Sequence, residues 1–157
     1  MLTEKIEIRM STVDEIKEYL WCFEKDTFYY GTKRPDTTKP VERLKALENS
    51  MLLLCNGETV GIAKIWEQKR TLYSKVRLAF FDEKLYSNEL GRKITSTFLE
   101  NCNKIYNHNG TVILEIFAFD ELMKSHCDSL GLTKVGALRD RIFKFGRYHD
   151  VIIYSYI

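Results

Sequence analysis

Apolar and polar residues alternate in several short segments of the chain, and the first of these lies at its start. In residues 6–10, apolar side chains alternate with charged ones, which predicts a strand with one buried face. The capping-box pattern from Thr12 to Glu15 follows, and apolar residues then recur at helical spacing. The chain is therefore expected to begin with a strand and a helix over about residues 13–25.

Residues 26–40 break this periodicity, because aromatic side chains are mixed there with Gly31 and two prolines. This composition favours a loop or a broken helix. Its rings either form a wall for a substrate or pack beneath the loop, and they belong to Phe28, Tyr29 and Tyr30. Pro40 then suits the first turn of a second helix, over 41–48.

Three strands are predicted in the middle of the chain. Asn56 and Gly57 form a two-residue hairpin turn between apolar runs at 51–55 and 58–66. The run at 75–81 continues the meander as a third antiparallel strand. These strands would supply an antiparallel half of a sheet.

One stretch combines strands and helices in a way that points to a binding site. The strand at 75–81 ends in a polar turn over 82–91, which opens a helix from Gly91 to about Tyr106. A strand over 111–119 then meets a short helix from Asp120 to Gly131. Backbone N–H groups and helix N-termini would meet at one edge, where an anionic cofactor can bind.

The C-terminal residues contain two extended runs, 134–144 and 149–156, which flank Gly146 and predict a terminal hairpin. The predicted order of elements is β, α, α, β, β, β, α, β, α, β, β. We therefore expect an α/β (α+β) fold with a mixed, mostly antiparallel sheet of about seven strands. Helices should cover both faces of this sheet.

Length and composition fit one domain over residues 1–157. The chain has 157 residues, a mass of 18.5 kDa and 45% hydrophobic residues, which suffice for a core of its own. Its 24 basic and 22 acidic residues give a formal charge of +2, so nucleic acid is not expected as a partner. No apolar run approaches the roughly 20 residues of a membrane span, and the N-terminus is charged where a signal peptide is apolar. We therefore expect a cytoplasmic protein with no membrane partner.

The cysteines and histidines do not form a metal-binding pattern. The four cysteines are widely spaced without a Cys-x-x-Cys pair, so they are expected to be reduced and mostly buried. The three histidines show no ligand spacing with them, and no metal site is expected. The cysteines are Cys22, Cys55, Cys102 and Cys127.

Ser125, His126 and Asp128 resemble a hydrolase triad only superficially. Consecutive residues on a helix point in different directions, and no oxyanion turn accompanies these three. We therefore interpret all of them as surface residues of the last helix.

Two segments, together with the element order, are similar to a known family. Residues 118–132 read AFDELMKSHCDSLGL, and residues 136–155 read GALRDRIFKFGRYHDVIIYS. The first has the length and shape of the stretch A-x-N-x-x-A-x-x-x-Y-x-x-x-G-F in the GNAT superfamily of acyl-CoA-dependent N-acetyltransferases. The second resembles the C-terminal hairpin of its ribosomal-protein acetyltransferase-like subgroup, which reads G-x-x-R and then G-R-Y-x-D. This likeness covers nearly the whole chain and implies a GNAT-like fold and acetyl transfer from acetyl-CoA.

The resemblance implies a pyrophosphate-binding loop where the helix at Gly91 begins. The family's loop reads Arg/Gln-x-x-Gly-x-Gly/Ala, and here Ser87 and Glu89 stand where the other glycines fall. Backbone N–H groups of residues 88–92 would address the pyrophosphate, helped by the helix dipole and by the charge of Arg92, with Glu89 pointing into solvent. The alternative is a turn that only starts a helix.

The pantetheine arm of the cofactor is expected between two separated strands. The strands at 75–81 and 112–118 should splay at their polar ends and expose unpaired backbone groups to the arm. Asp120 replaces the Asn that contacts pantetheine in the family, and it is also a good N-cap for the last helix. The cofactor-binding candidates are Phe80, Phe81, Ser87, Asn88, Glu89, Leu90, Gly91, Arg92 and Asp120.

The resemblance also indicates where a proton donor would stand. Cys127 occupies the position where many family members carry the Tyr that protonates the departing CoA thiolate. A neutral thiol can donate a proton, although a half-buried Cys often only packs. Tyr86, Tyr148 and Tyr154 are alternative donors that the sequence does not rank, and the catalytic candidates are Cys127, Tyr86 and Tyr148.

The acceptor amine must lose a proton during such a transfer. A lysine-like amine, with a pKa of about 10.4, needs a base, for which Glu67 and Glu83 are candidates. A less basic amine, such as that of an amino sugar, needs a weaker base. The expected acceptor is a primary amine of a small molecule, such as a free or nucleotide-linked amino sugar, or a protein N-terminus.

A non-catalytic domain that binds a ligand or partner is the alternative function, and a homodimer is left open.

Overall fold

The computed structural model describes residues 4–29, 34–40, 48–67, 73–106 and 111–156. Within these residues, seven strands form one sheet. They are β1 (Ile6–Met10), β2 (Ser50–Cys55), β3 (Glu58–Glu67), β4 (Tyr73–Phe80), β5 (Thr111–Phe117), β6 (Thr133–Lys144) and β7 (Arg147–Tyr156). Residues 41–47 of the predicted second helix lie outside the described residues, as does Tyr30.

The strand order across the sheet is β1-β2-β3-β4-β5-β7-β6. All neighbours pair antiparallel except β4 and β5, which run parallel. This confirms the predicted mixed and mostly antiparallel sheet. The turn between β2 and β3 is formed by Asn56, at φ 52°, and Gly57, at φ 83°. Both residues adopt the left-handed conformation that such a two-residue hairpin turn requires.

The predicted first helix is present but divided. Helix α1 spans Val13–Lys17, and the capping box formed by Thr12 and Glu15 closes its N-terminus. A 3-10 helix, Leu20–Glu24, continues the chain. Its tighter winding places residues three apart on one side, and Leu20 and Phe23 are buried together on the sheet. The prediction of one continuous α-helix over 13–25 was therefore wrong, although helical structure does occupy this range.

Helices cover both faces of the sheet, as predicted. Helix α2 (Glu89–Tyr106) and helix α3 (Glu121–Ser129) pack on one face, and α1 and the 3-10 helix after it pack on the other. The buried stripe of α2 includes Ile94, Phe98 and Cys102, which pack in the core. No helix of the described ranges is long and apolar enough to cross a membrane.

The parallel strands β4 and β5 separate toward their carboxyl ends. Their pairing runs from Tyr73 with Thr111 to Val76 with Leu114 and stops there, although both strands continue. The guanidinium group of Arg77 then donates to the carbonyl of Glu115 at 3.3 Å, so a side chain replaces the next ladder bond. The predicted splay is confirmed, and we call the space between the separated ends the gap.

The C-terminal hairpin is also present as predicted. Strands β6 and β7 are joined by Phe145, at φ 57°, and Gly146, at φ 76°. The register shifts between Leu138 and Ile142, and β6 is the edge strand of the sheet. Val151 of β7 pairs with Phe117, the last residue of β5, so the hairpin tip extends past the end of β5.

Candidate active site

The turn before α2 and its first residues form the predicted pyrophosphate segment. A 3-10 turn spans Glu83–Tyr86 and is capped by the side chain of Asp82. Asn88 caps α2, because its Oδ1 accepts the N–H of Gly91 at 2.9 Å and its carbonyl accepts the N–H of Arg92 at 3.3 Å. These two amides are therefore engaged within the protein.

The amides of Asn88, Glu89 and Leu90 can face an anion. They lie at the N-cap and in the first turn of α2, before the helical hydrogen-bond ladder begins, where the helix dipole favours negative charge. Of the five predicted amides over 88–92, these three remain, because Asn88 accepts hydrogen bonds from the amides of Gly91 and Arg92.

Two side chains of the segment, those of Glu89 and Ser87, are directed into solvent or to the segment's own backbone. The side chain of Glu89 is 76% exposed and lies 3.8 Å from the Nζ of Lys93, so its charge points into solvent and is partly neutralised. The hydroxyl of Ser87 donates to the carbonyl of Lys84 at 3.2 Å. Arg92 is half-buried one turn further on.

Gly91 is required by its contact with the preceding turn. A Cβ atom at this position would lie 1.5 Å from the carbonyl oxygen of Leu85, so any side chain would force the turn to move. Glycine lets the two backbones approach each other closely. Gly91 therefore holds α2 against the turn that carries Tyr86.

The hydroxyl of Tyr86 lies at the gap. The N–H of Phe81 donates to Val60 of β3 at 3.0 Å, and successive amides of a strand point to opposite sides, so the N–H of Phe80 points away from β3. That N–H donates to the hydroxyl oxygen of Tyr86 at 3.0 Å. The two rings also pack edge to face, with centroids 5.1 Å apart.

Burial raises the pKa of Tyr86 to about 12, with the charge of Asp120 acting in the same direction. The phenol is therefore neutral at physiological pH and can donate its proton. Its hydrogen bond with Phe80 uses the oxygen as acceptor, so this bond does not consume the phenolic proton.

His126 is fully buried, which corrects the prediction that it lies on the surface of the last helix. Its side chain is 0% exposed, and its ring packs edge to face against Phe80 and Tyr86 at 5.7 Å and 5.8 Å. Ser125 and Asp128 are exposed on other sides of α3, so the three residues form no triad.

The sequence did contain a signal for this burial. Met123, His126 and Leu130 are spaced three and four residues apart, which places them on one stripe of α3. Met123 is buried in the core and Leu130 is half-buried. A histidine on an apolar stripe needs internal hydrogen-bond partners, because a buried polar group is costly when unpaired.

Cys127 and Tyr154 lie in the core rather than on an open surface. Cys127 is 0% exposed, and burial raises the pKa of its thiol to about 12. The hydroxyl of Tyr154 donates to Asp128 at 3.0 Å, and its pKa is also raised to about 12, first by burial. Tyr154 is therefore held by a surface carboxylate of α3.

Tyr148 stands on the hairpin beyond the end of β5. Its side chain is 64% exposed and packs against Phe143 across the hairpin, with centroids 5.1 Å apart. No hydrogen bond or ring contact joins it to Tyr86 or Cys127 in the part of the chain that the structure describes. The structure thus keeps the three catalytic candidates in separate environments.

Asp120 follows β5 and caps α3, as predicted. Its carboxylate accepts the N–H of Met123 at 3.2 Å. Burial raises the pKa of this carboxyl, against the opposing effects of that hydrogen bond and of the charge of Arg77. Asp120 and Tyr86 therefore approach the gap from its two sides, β5 and β4.

The other face of the gap carries Tyr19 and Trp21, two aromatic residues that the sequence did not single out. Phe81, which follows β4, stacks on Tyr19 with centroids 4.8 Å apart and also contacts Trp21 at 5.7 Å. Trp21 is 47% exposed. Phe28, one of the predicted wall residues, is 4% exposed, so the packing alternative holds for this ring.

Two buried cations hold the loop after the 3-10 helix on this face. Arg77, which is 6% exposed, donates to the carbonyl of Phe28. Lys144 is 4% exposed and donates to the carbonyls of Asp26 and Tyr29, the latter at 2.6 Å. Burial lowers the pKa of Lys144 to about 8, with the charge of Asp26 opposing the change.

The remaining candidates add little to the site. Glu83, a predicted base, is exposed on the 3-10 turn, and the side chain of Glu67 lies outside the described residues. No group of three or more potential metal ligands occurs among the residues that the structure describes. All four cysteines are buried free thiols.

The fold is shared with solved N-acetyltransferase structures. The ribosomal-protein-alanine N-acetyltransferase from Brucella melitensis superposes with a TM-score of 0.71 over 96% of this chain and 99% of its own, at 18% identity. For yncA from Salmonella typhimurium, designated an acetyltransferase and solved with its cofactor acetyl-CoA, the TM-score is 0.71 over 97% and 93%, at 15% identity. For mutant forms of the spermidine/spermine N-acetyltransferase SpeG from Vibrio cholerae, the TM-score is 0.71 over 97% of this chain and 94% of that one, at 13% identity.

These similarities show that the chain has the GNAT fold, which confirms at the level of fold the family resemblance found in the sequence. No family model matches the chain, and no curated protein is significantly similar to it. Because the identities are low, the resemblance to the ribosomal-protein subgroup stays a prediction.

Proposed function

We propose that this protein transfers an acetyl group from acetyl-CoA to a primary amine. The observation that carries the proposal is the gap between β4 and β5, where the two strands no longer pair with each other and the start of α2 lies at the same edge of the sheet. Helix N-termini and backbone N–H groups are suited to phosphates and to a developing oxyanion.

The described residues fit a coenzyme A molecule at this edge. The amides of Asn88, Glu89 and Leu90, with Arg92 nearby, would hold the pyrophosphate. The separated ends of the strands at Phe80 and Phe81, and Asp120 across the gap, would hold the pantetheine arm. When bound, acetyl-CoA would supply an activated acetyl group as its thioester.

The protein's own part in the chemistry is to orient the amine, stabilise the oxyanion and protonate the sulfur. The amine nitrogen forms a bond with the acetyl carbon and releases a proton to water, the carbon–sulfur bond breaks, and the thiolate takes a proton from the protein. We assign this proton donation to Tyr86, because its neutral hydroxyl lies at the gap. Cys127 and Tyr148 remain the alternatives that variants must exclude.

The acceptor belongs to the class of primary amines, either of a small molecule or of a protein N-terminus. Proteins of this fold include one named for ribosomal protein alanine and one named for spermidine and spermine. The fold alone therefore does not identify the acceptor. An amino sugar fits the absence of a strong base among the described candidates, since Glu83 is exposed and stands on the cofactor side of the sheet.

The alternative is a domain that binds a ligand without turnover. It is favoured by Glu89 in place of a glycine and by the burial of Cys127. Calorimetric titration with acetyl-CoA, followed by a screen of amines for thiol release, separates the two functions. Binding of acetyl-CoA with release of CoA supports the enzyme. Binding without release of CoA for any amine supports the non-catalytic domain. If acetyl-CoA does not bind, neither function involves this cofactor.

Charge reversal at Arg92 tests where the cofactor binds. Arg92→Glu should weaken acetyl-CoA binding by about 1.5–3 kcal/mol if the guanidinium contacts phosphate, which is roughly 10- to 100-fold in the dissociation constant. Lys104→Glu is the matched control, because Lys104 is exposed in the last turn of the same helix. Equal dissociation constants for the wild type and Arg92→Glu would place the pyrophosphate elsewhere.

A further inference from the structure

His126 joins the two segments that flank the proposed pyrophosphate site. Its Nδ1 lies 3.0 Å from the carbonyl oxygen of Tyr86, and its Nε2 lies 2.7 Å from the hydroxyl of Thr95. Tyr86 precedes the start of α2 and Thr95 follows it. One imidazole on α3 therefore ties both ends of the segment to the last helix.

The hydrogen-bond partners define the tautomer of the ring. A carbonyl oxygen only accepts hydrogen bonds, so Nδ1 must carry the proton that goes to Tyr86. Burial lowers the pKa of His126, and the charge of Arg92 acts in the same direction, so the ring is neutral and Nε2 is an acceptor. The hydroxyl of Thr95 then donates to Nε2 rather than to the carbonyl of Gly91, which lies 2.9 Å away.

The imidazole also packs against the ring of the proposed proton donor, Tyr86. It packs edge to face on both Phe80 and Tyr86, whose own contact brings the phenol to the gap. An apolar residue at position 126 could fill this space but could not hold the carbonyl of Tyr86.

We propose that His126 is a positioning residue for acetyl transfer. Its Nδ1 holds Tyr86 at the gap, and its Nε2 holds the first turns of α2, where the pyrophosphate binds. This inference rests on the proposed function. A displacement of about 1 Å at a reacting group can lower a rate by roughly 100-fold, so these two bonds should matter for turnover and for cofactor affinity separately.

Two amide variants separate the two bonds. His126→Asn keeps an N–H close to the position of Nδ1 and can retain the bond to Tyr86, so it should raise the KM for acetyl-CoA and leave kcat nearly unchanged. His126→Gln reaches toward Thr95 and should lower kcat more than it raises KM. His126→Leu loses both bonds and should change both constants, with a fall in kcat of about 10- to 100-fold.

Thr95 and Thr97 provide a matched pair of controls on α2. The hydroxyl of Thr97 donates to the carbonyl one turn back along the helix, that of Lys93, at 2.8 Å, and it does not contact His126. Thr95→Val should raise the KM for acetyl-CoA as His126→Asn does. Thr97→Val should leave both constants unchanged.

A measurement that does not depend on activity tests the geometry itself. Long-range ¹⁵N NMR of the cofactor-free protein should show His126 as the neutral Nδ1–H tautomer, and an Nε2–H tautomer would overturn the proposed bonds. If the wild type turns over acetyl-CoA while folded His126→Asn and His126→Gln keep both kcat and KM, the positioning role is wrong and the proposed function stands. If the wild type does not bind acetyl-CoA, the proposed function itself fails.

Discussion

Individual side chains at the gap differ in how well they are placed to donate a proton. Tyr86 combines a neutral phenol with a position against the end of β4, where its pairing with β5 has stopped, through the N–H of Phe80. Cys127 has a neutral thiol, but this thiol is enclosed in the core between α3 and the sheet. The position of the acidic group, more than its pKa, therefore distinguishes these candidates.

Replacement of Tyr86 by Phe tests the proton donor. The variant keeps the ring contacts with Phe80 and His126 but loses the hydroxyl, so kcat should fall by about 10²- to 10⁴-fold while acetyl-CoA affinity is retained. Steady-state kinetics with calorimetry measures both. Tyr148→Phe serves as the comparison, and a larger loss there than in Tyr86→Phe would move the role to the hairpin.

Replacement of Cys127 by Ala tests the residue at the family's Tyr position. The thiol is packed in the core, so we expect kcat to be retained and the free energy of unfolding to fall by about 1 kcal/mol. Cys102→Ala is the matched control, because Cys102 is 1% exposed in the same cluster and lies on α2. A fall in kcat of more than about tenfold in Cys127→Ala alone would identify the thiol as the acid.

At the scale of elements, the start of α2 and the preceding turn behave as one unit. Asn88 caps the helix, Gly91 contacts Leu85 of the turn, and His126 reaches both sides from α3. Because these contacts connect the turn with the helix, a change in the turn should displace Tyr86 and the amides at the start of α2 together.

Replacement of Gly91 by Ala tests this coupling. The added Cβ would collide with the carbonyl of Leu85, so the turn must move, and stability should fall by about 1–3 kcal/mol with weaker acetyl-CoA binding. Denaturant unfolding and calorimetry check the two effects. Gly136→Ala is the control, since nothing lies within 4 Å of a Cβ there. Native stability and affinity in Gly91→Ala would contradict the close approach.

At the scale of the whole molecule, two buried cations connect distant parts of the chain. Lys144, near the end of β6, holds carbonyls of the loop at residues 26–29, and Arg77 of β4 holds another carbonyl of the same loop. The loop is thereby attached to both the central strands and the C-terminal hairpin, on the face opposite α2 and α3.

The lowered pKa of Lys144 predicts a pH-dependent stability. Its pKa is about 8 in the folded protein, against 10.5 as the ordinary value. Between these values the unfolded state binds more protons, so the contribution of Lys144 to stability should increase as pH rises, by at most about 1.4 kcal/mol per pH unit. Below pH 8 both states are protonated, and this contribution is constant.

Denaturant unfolding of the wild type and Lys144→Met from pH 7 to pH 10 measures this effect. Tyrosines and cysteines also titrate at high pH, but they are present in both proteins. Their contributions therefore cancel in the difference between the two free energies of unfolding. Wild-type stability should rise relative to that of the variant above about pH 8. Parallel curves would show that Lys144 keeps its ordinary pKa under the loop.

Local patterns in the sequence predicted most of the fold. The alternation in β1, the turn at Asn56 and Gly57, and the capping residues Thr12 and Asp120 all act through neighbours in the chain. The order of elements was predicted from the same local patterns, and the splay of β4 and β5 was predicted from that order and from the polar ends of both strands. The break between α1 and the 3-10 helix was missed, because it depends on how those residues pack against the sheet.

The site itself was decided by tertiary structure. The sequence placed Tyr86, Gly91 and Asp120 near one edge, but it contained no sign that the hydroxyl of Tyr86 meets the N–H of Phe80. His126 was assigned to the surface, although it is enclosed by residues 31 and 40 positions away in the chain. Contacts of this kind depend on which elements become neighbours across the sheet, and periodicity, turns and caps carry information only over a few residues.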